Sequence, residues 1–481
     1  MRKNVVIMGA GPAGLTAGAH LTENDCVVTI LEKDPRYVGG IARTEYYKGF
    51  RFDIGGHRFF SKSEEVTRWW KKRLPNDFIQ VKRLSRIFYR GKFFDYPLKA
   101  MNALMGLGIV TSARCMFSYL QARISPIQPE KSFADWVTNR FGQRLFNIFF
   151  KTYTEKVWGR PCHEISADWA AQRIKGLSLL KAVIHALIPQ HGRGKKVVKT
   201  LIDEFDYPLL GPGMMWEKAR DDIRAAGNTV AMNTKVTRIL HDGRRVTAVI
   251  AQNGQHEKEF RGDAFISSLP LRECVLALTP SLAPEVLEAA KRLEYRDFLT
   301  VALMIQRTKL FPDNWIYVHD PSVKLGRIQN FNNWSMHLIP DPNMTCLGLE
   351  YFCFEGDELW NTPDEKLIEL GKMELEKLSL VASKDVMDGA VVRMPKAYPV
   401  YVPGYQDDVE KIKTALSSFE NFQVIGRNGM HKYNNQDHSM MTAILAARNV
   451  LEENAPHGRS FNLWDVNSDA EYHESGQRVS S

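Results

Sequence analysis

Short apolar runs alternate with amphipathic stretches along most of this chain. Val5-Val6-Ile7-Met8 reads as a buried strand, residues 12–21 as a helix, and residues 26–31 as a second strand. Between residues 62 and 200, apolar side chains recur at three- and four-residue spacing. That spacing predicts helices over 64–74, 99–120, 132–153 and 167–187. Residues 104–110 read as part of a buried helix, with a membrane-surface segment as the alternative. Gly211-Pro212-Gly213 precedes a predicted helix over 214–226. Strands follow over 229–232 and 236–240, with a turn at Asp242-Gly243, and then over 264–268. Residues 297–355 are strand-rich and aromatic, and a strand over 422–425 leads to a helix over 437–449.

This pattern predicts an α/β chain whose Rossmann-like dinucleotide domain is discontinuous, built from residues 1–85, 206–290 and 406–451. A mainly helical insertion is expected over 86–205, a strand-rich substrate domain over 291–405, and a polar tail over 452–481. With 481 residues, 44% of them hydrophobic, the chain has material for two or three domains.

The formal net charge is +9. Part of it gathers at His191-Gly192-Arg193-Gly194-Lys195-Lys196, expected to be an exposed loop. Aromatics do not interleave with this patch, so nucleic acid is not the expected partner, whereas an anionic small substrate suits the surplus. No apolar run reaches the length of a membrane span, and the first residues resemble a strand rather than a signal peptide. The six cysteines lack metal-ligand spacing and read as free thiols in a reducing cytoplasm, with no metal expected.

Chemistry enters at the N-terminus. Gly9-Ala10-Gly11-Pro12-Ala13-Gly14 has GxGxxG spacing between a strand and a helix. Gly9 permits the tight turn, Gly11 clears the approach of a pyrophosphate, and Gly14 lets the helix pack on the sheet. The helix N-terminus directs free N–H groups at the phosphates. Glu32, followed by Lys33, ends the second strand, where a carboxylate accepts from adenosine ribose hydroxyls and repels a 2′-phosphate. FAD or NAD is therefore expected over NADP. Gly39-Gly40 with Arg43, and Gly55-Gly56-His57, add glycine pairs that allow backbone to lie against a flat ring, which favours FAD. Arg43 has a surface ion pair as its plain alternative, and His57 a structural role.

At this point the sequence resembles the UDP-galactopyranose mutase family over roughly residues 4–450. Phe149-Phe150-Lys151-Thr152-Tyr153-Thr154-Glu155-Lys156-Val157-Trp158-Gly159 is similar to that family's FFxxYTxKxWG segment. Leu349-Glu350-Tyr351 is similar to its EY motif, Gly426-Arg427 through Tyr433 to its GRxxxYxY, and Gly56-His57-Arg58-Phe59 to its GxHxF. The resemblance implies a flavin-dependent mutase that interconverts pyranose and furanose forms of a nucleotide-diphosphate hexose. It works through a sugar adduct at N5 of reduced FAD, with NADPH or NADH as external reductant. It also implies Arg427 and His57 beside the cofactor, and Arg327, Tyr351, Tyr433, Trp158 and Arg173 around the substrate, with His57 and Arg327 the catalytic candidates. Core packing is the alternative for Trp158, Tyr351 and Tyr433, and a plain surface cation for Arg327. A homodimer is compatible with the resemblance. The competing function is an FAD oxidoreductase of the amine oxidase, protoporphyrinogen oxidase or desaturase type, since the N-terminal motif fits these equally.

Overall fold

The computed structural model describes residues 2–167, 204–452 and 460–467. At its centre a five-stranded parallel sheet runs in the order Phe422–Val424, Ala264–Ser267, Asn4–Met8, Val27–Leu31, Thr229–Ala231. Neighbours in space therefore come from three distant parts of the sequence, the discontinuity that the apolar runs predict. Strands buried on both faces need apolar residues at every position, and Val5, Val6, Ile7 and Met8 are all buried. Helix Pro12–Glu23 covers one face and packs against helices Gly213–Ala225 and Gln436–Leu451.

A second sheet has seven strands, in the order Val386–Val400, Glu294–Ile305, Thr345–Cys353, Arg327–Asn330, Trp315–Val318, Ser85–Tyr89, Lys92–Asp95. Its last two strands form a hairpin drawn from the stretch expected to open the helical insertion. Trp315–Val318 pairs with Ser85–Tyr89 in parallel, so the hairpin extends the substrate-side sheet. One face of this sheet is sealed by helix Asp364–Lys377 over a core that includes Val301, Ile328, Leu349 and Tyr351. The other face packs through Ala302, Met304 and Cys346 on Phe50, Phe52, Phe205 and Tyr207, from the strands Phe50–Asp53 and Glu204–Pro208.

The helical stretch is more broken than its apolar spacing predicts. One expected helix is two, Ala100–Leu107 and Ile109–Ile124, parted at Gly108 with φ +80°. The next stops at Phe141 before Gly142, φ +81°, then continues through a π-wound turn at Phe146–Lys151 into Thr152–Trp158. Glycine at positive φ ends a helix without disturbing the spacing of apolar residues. The predicted helix over 167–187 and the basic cluster 191–196 lie outside the described residues, apart from Ala167.

Candidate active site

The first glycine turn is closed by its own backbone. Gly9 adopts φ +97°, and its N–H donates to Leu31 O at 2.8 Å. A Cβ on Gly14 would stand 1.9 Å from Gly9 O, so only glycine lets the helix start so close to the strand. A Cβ on Gly11 would meet nothing within 4 Å, while one on Gly40 would come 3.7 Å from Gly11 Cα. The two glycine turns thus abut, and the space onto which Gly11 would point a side chain, at the helix N-terminus, is open. Pro12 occupies the first helical turn, and Ala13 is buried beneath the loop bearing Gly426.

Glu32 is already engaged. Its carboxylate accepts from Ala10 N at 2.8 Å and Asp34 N at 2.9 Å, and burial raises its pKa against those donors. Remaining lone pairs are left for a ribose, and Lys33 beside it is exposed. Arg43 takes the ion-paired form that was its plain alternative, though half-buried rather than on the open surface. Its guanidinium is held by Asp34 at 2.8 Å and Glu45 at 2.7 Å, so its charge is largely spent on ordering this loop.

Against the seven-stranded sheet opens a cleft of about 1140 Å³ including its mouth. Gly55, Gly56 and His57 line it, as do Arg327, Arg427 and Tyr433. The sequence-predicted residues from three separate segments are therefore brought together here. The N-terminal end of helix Gln436–Leu451 contributes Asn435, Gln436 and Asp437 to the same wall. His57 Nε2 lies 2.8 Å from Ile54 O, a contact that requires the proton on that nitrogen. Burial, reinforced by the Arg427 cation, lowers the His57 pKa to about 4, so the ring is neutral near pH 7. Arg427 donates from Nε to Asn434 O at 2.7 Å and lies over the Tyr433 ring at 4.7 Å. Tyr433 in turn stacks on Tyr398 with centroids 5.5 Å apart. Burial, then the neighbouring Tyr433, pushes the Tyr398 hydroxyl up to about 12, which keeps it a hydrogen-bond donor.

Arg327 reaches the cleft with less freedom than a lone fork. Nε donates to the buried Glu350 at 2.7 Å, Nη2 donates to the same carboxylate, and Nη2 also lies 3.5 Å from the Tyr398 hydroxyl. Glu350 additionally accepts from Gln329 Nε2 at 2.8 Å. The edge expected to grip a substrate phosphate is thus partly taken by Glu350.

Two placements differ from expectation. Tyr351 is fully buried under helix Asp364–Lys377, beside Glu374, on the sheet face away from the cleft. Side chains alternate along a strand, and Glu350 takes the cleft side, so its neighbour must face the other core. Trp158 is packed with Phe133, Phe141 and Phe146, outside the cleft. Within the same segment, Lys156 donates to three carbonyls, of Val318, Asp320 and Leu325, and Tyr153 stacks on His319. This motif therefore buttresses the wall from behind. Arg173 lies outside the described residues.

The cleft also holds residues that motif reading missed. Arg58 and Arg83 bring it two more cations, and Trp315, Tyr317, Gln329 and Tyr398 complete the wall. Arg83 Nε and Gln329 Oε1 are both buried without a hydrogen-bond partner, on two of the residues that line the cleft. Period-two reading outward from Arg327 would have found Gln329, and Trp315 and Tyr317 follow from their pairing with those two residues.

The sequence matches the family described as flavin containing amine oxidoreductase over residues 12–451. The chain belongs to that family. Among solved structures, this flavin amine oxidoreductase resembles reduced UDP-galactopyranose mutase with a TM-score of 0.80, at 22% identity and 94% coverage of each chain. That likeness shows a common fold. Among curated proteins, coproporphyrinogen III oxidase of Mycobacterium leprae is 22% identical over 449 residues, 86% of this chain and 91% of that one. Thioredoxin reductase of Borreliella burgdorferi is 34% identical over 109 residues; the match spans only 22% of this chain and 33% of that protein.

Proposed function

We propose that the protein is an FAD-dependent mutase that interconverts the pyranose and furanose forms of a nucleotide-diphosphate hexose. The observation that carries this reading is the charge and hydrogen-bonding character of the cleft. Four guanidinium groups, of Arg58, Arg83, Arg327 and Arg427, stand against two carboxylates, Asp437 and the Glu350 that pairs Arg327. The formal surplus of two positive charges suits a diphosphate ester, and the Tyr398 and Tyr433 phenols add neutral groups beside it.

The abutting glycine turns, the helix N-terminus and Glu32 fit the dinucleotide portion of FAD, with Gly55, Gly56, His57 and Arg427 on the cleft side. When bound and reduced, FAD supplies the electron-rich centre that the ring isomerisation requires, and NADPH or NADH is the proposed reductant. The chain's own residues hold the leaving diphosphate close for its return, fix the sugar's orientation and keep water from the opened ring. His57 contributes as a neutral group with its Nε2 proton committed to Ile54 O, and Arg327 as a cation aimed by Glu350. Tyr351 and Trp158 act through packing. A second reading, an FAD oxidoreductase acting on an anionic ring compound, is favoured by the near full-length similarity to coproporphyrinogen III oxidase.

The test is to incubate dithionite-reduced protein with UDP-, GDP- and TDP-hexoses and resolve the products by ring form. The expected result is a new furanose or pyranose isomer without stoichiometric use of reductant or oxygen. Net oxidation of a substrate at the expense of oxygen, with no isomer formed, would replace this reading with the second.

A further inference from the structure

Sixteen large hydrophobic residues are exposed among the described residues, and nine of them fall between Met101 and Ile127. Scattered exposed apolar residues are ordinary; a concentration of this kind marks a surface that something covers. Helix Ile109–Ile124 turns Cys115, Tyr119 and Ala122 inward. Its opposite face carries Val110, Ala113, Phe117, Leu120 and Ile124, all exposed and spaced three or four residues apart. Ile109 is 89% and Ile124 85% exposed, and the tip of helix Ala100–Leu107 continues the stripe with Met105 at 72%.

We propose that this two-helix face docks the protein on an anionic lipid surface, lying in the interface plane rather than crossing it. Charge chooses the occupant. From Leu98 to Pro129 the chain has three basic residues and no Asp or Glu. Lys99 is paired with Asp95 at 3.2 Å, but Arg114 and Arg123, both exposed, have no ion-pair partner among the described residues. Arg114 lies between Val110 and Phe117, and Arg123 follows Leu120 by three positions, so both cations border the stripe. Acyl chains accept such a stripe while anionic headgroups meet the flanking arginines. A second copy of the chain would fit poorly. Two-fold pairing sets this face against itself, bringing like charges together with no carboxylate to answer them. Sixteen residues of helix extend about 24 Å, enough to rest on a bilayer, and no described helix is long and apolar enough to span one.

Full-length protein is to be sedimented with vesicles of phosphatidylcholine alone and of phosphatidylcholine mixed with phosphatidylglycerol. Wild type is expected to pellet with the mixed vesicles and to be released by salt. Val110→Ser/Phe117→Ser/Ile124→Ser should abolish pelleting. Arg114→Glu/Arg123→Glu should weaken partition by roughly tenfold or more, with the thermal transition kept. The charge pair keeps the test open if the serine variant fails to fold. Wild type remaining in the supernatant with both vesicle types overturns the proposal. So does a dimer in solution that the same serine substitutions convert to monomer, since the face would then belong to a second copy. Neither result bears on the nucleotide-sugar reaction, which is measured without lipid.

Discussion

Glu350 has no exposed surface and holds Arg327 through two donors, while Gln329 donates to its other oxygen. Removing one member of such a pair strands a buried charge, at a cost of about 3–5 kcal/mol, whereas removing both leaves no charge uncompensated. Arg327→Met should therefore lower unfolding free energy by about that amount in urea titrations. Arg327→Met/Glu350→Leu should recover most of the loss, stopping short of wild type because Gln329 loses its acceptor. Equal destabilisation by the single and double variants would show that the pair is not coupled. Residue identity and residue direction were unequally legible here. The EY motif announces that Glu350 and Tyr351 matter, but which one faces the cleft depends on strand register, fixed by pairing Arg327 with Glu350. Arg83 gave no signal at all. It reaches the cleft because the neighbouring Ser85–Tyr89 strand joins Trp315–Val318, more than 200 residues later.

At the scale of elements, glycine separates the legible from the hidden. The strand, GxGxxG turn, helix and second strand of the N-terminus stand where the sequence puts them, because local chemistry alone dictates that unit. The breaks at Gly108 and Gly142 were invisible, since apolar spacing records which residues are buried and not where the chain turns. The first glycine turn offers a direct test. Gly14→Ala pushes a methyl into Gly9 O and should yield protein that cannot hold flavin and melts earlier. Gly11→Ala points its methyl into open space. It should fold and melt like wild type without cofactor, yet bind FAD at least roughly tenfold more weakly, as titration followed by flavin fluorescence would read. Unchanged FAD affinity in Gly11→Ala would remove the pyrophosphate from that space.

For the whole molecule, burial of ionisable groups sets the response to acid. Burial lowers His57 and His431 to about 4 and His319 to about 3. The unfolded chain takes up protons at these sites near pH 6.5 while the native state does not. Their contribution to stability is present above that pH and is lost as pH falls toward 4. Asp53, raised by burial to about 7 despite hydrogen bonds from Tyr207 and Thr44, works in the opposite direction. Its native state binds a proton that the unfolded state releases between about pH 4 and 7, so it loses stability as pH rises. Glu32, Glu217 and Asp297 are also raised by burial and side with Asp53, and His20 is lowered and sides with the other histidines. The large shifts of His57, His319 and His431 outweigh the acids and leave a net loss on acidification. Unfolding free energy should fall between pH 6.5 and 4.5, and Asp53→Asn should steepen that fall. A flat profile would mean that these histidines share water's access in both states.

The parallel sheet carries a consequence for how the protein is made. Its outermost strand, Phe422–Val424, and the helix after it lie in the last eighth of the chain, while the nucleotide turn they abut lies in the first fourteen residues. A ribosome therefore releases almost the entire polypeptide before the cofactor chamber has all its walls. Flavin loading is expected only once that strand has emerged, and nascent chains stalled before it should be colourless.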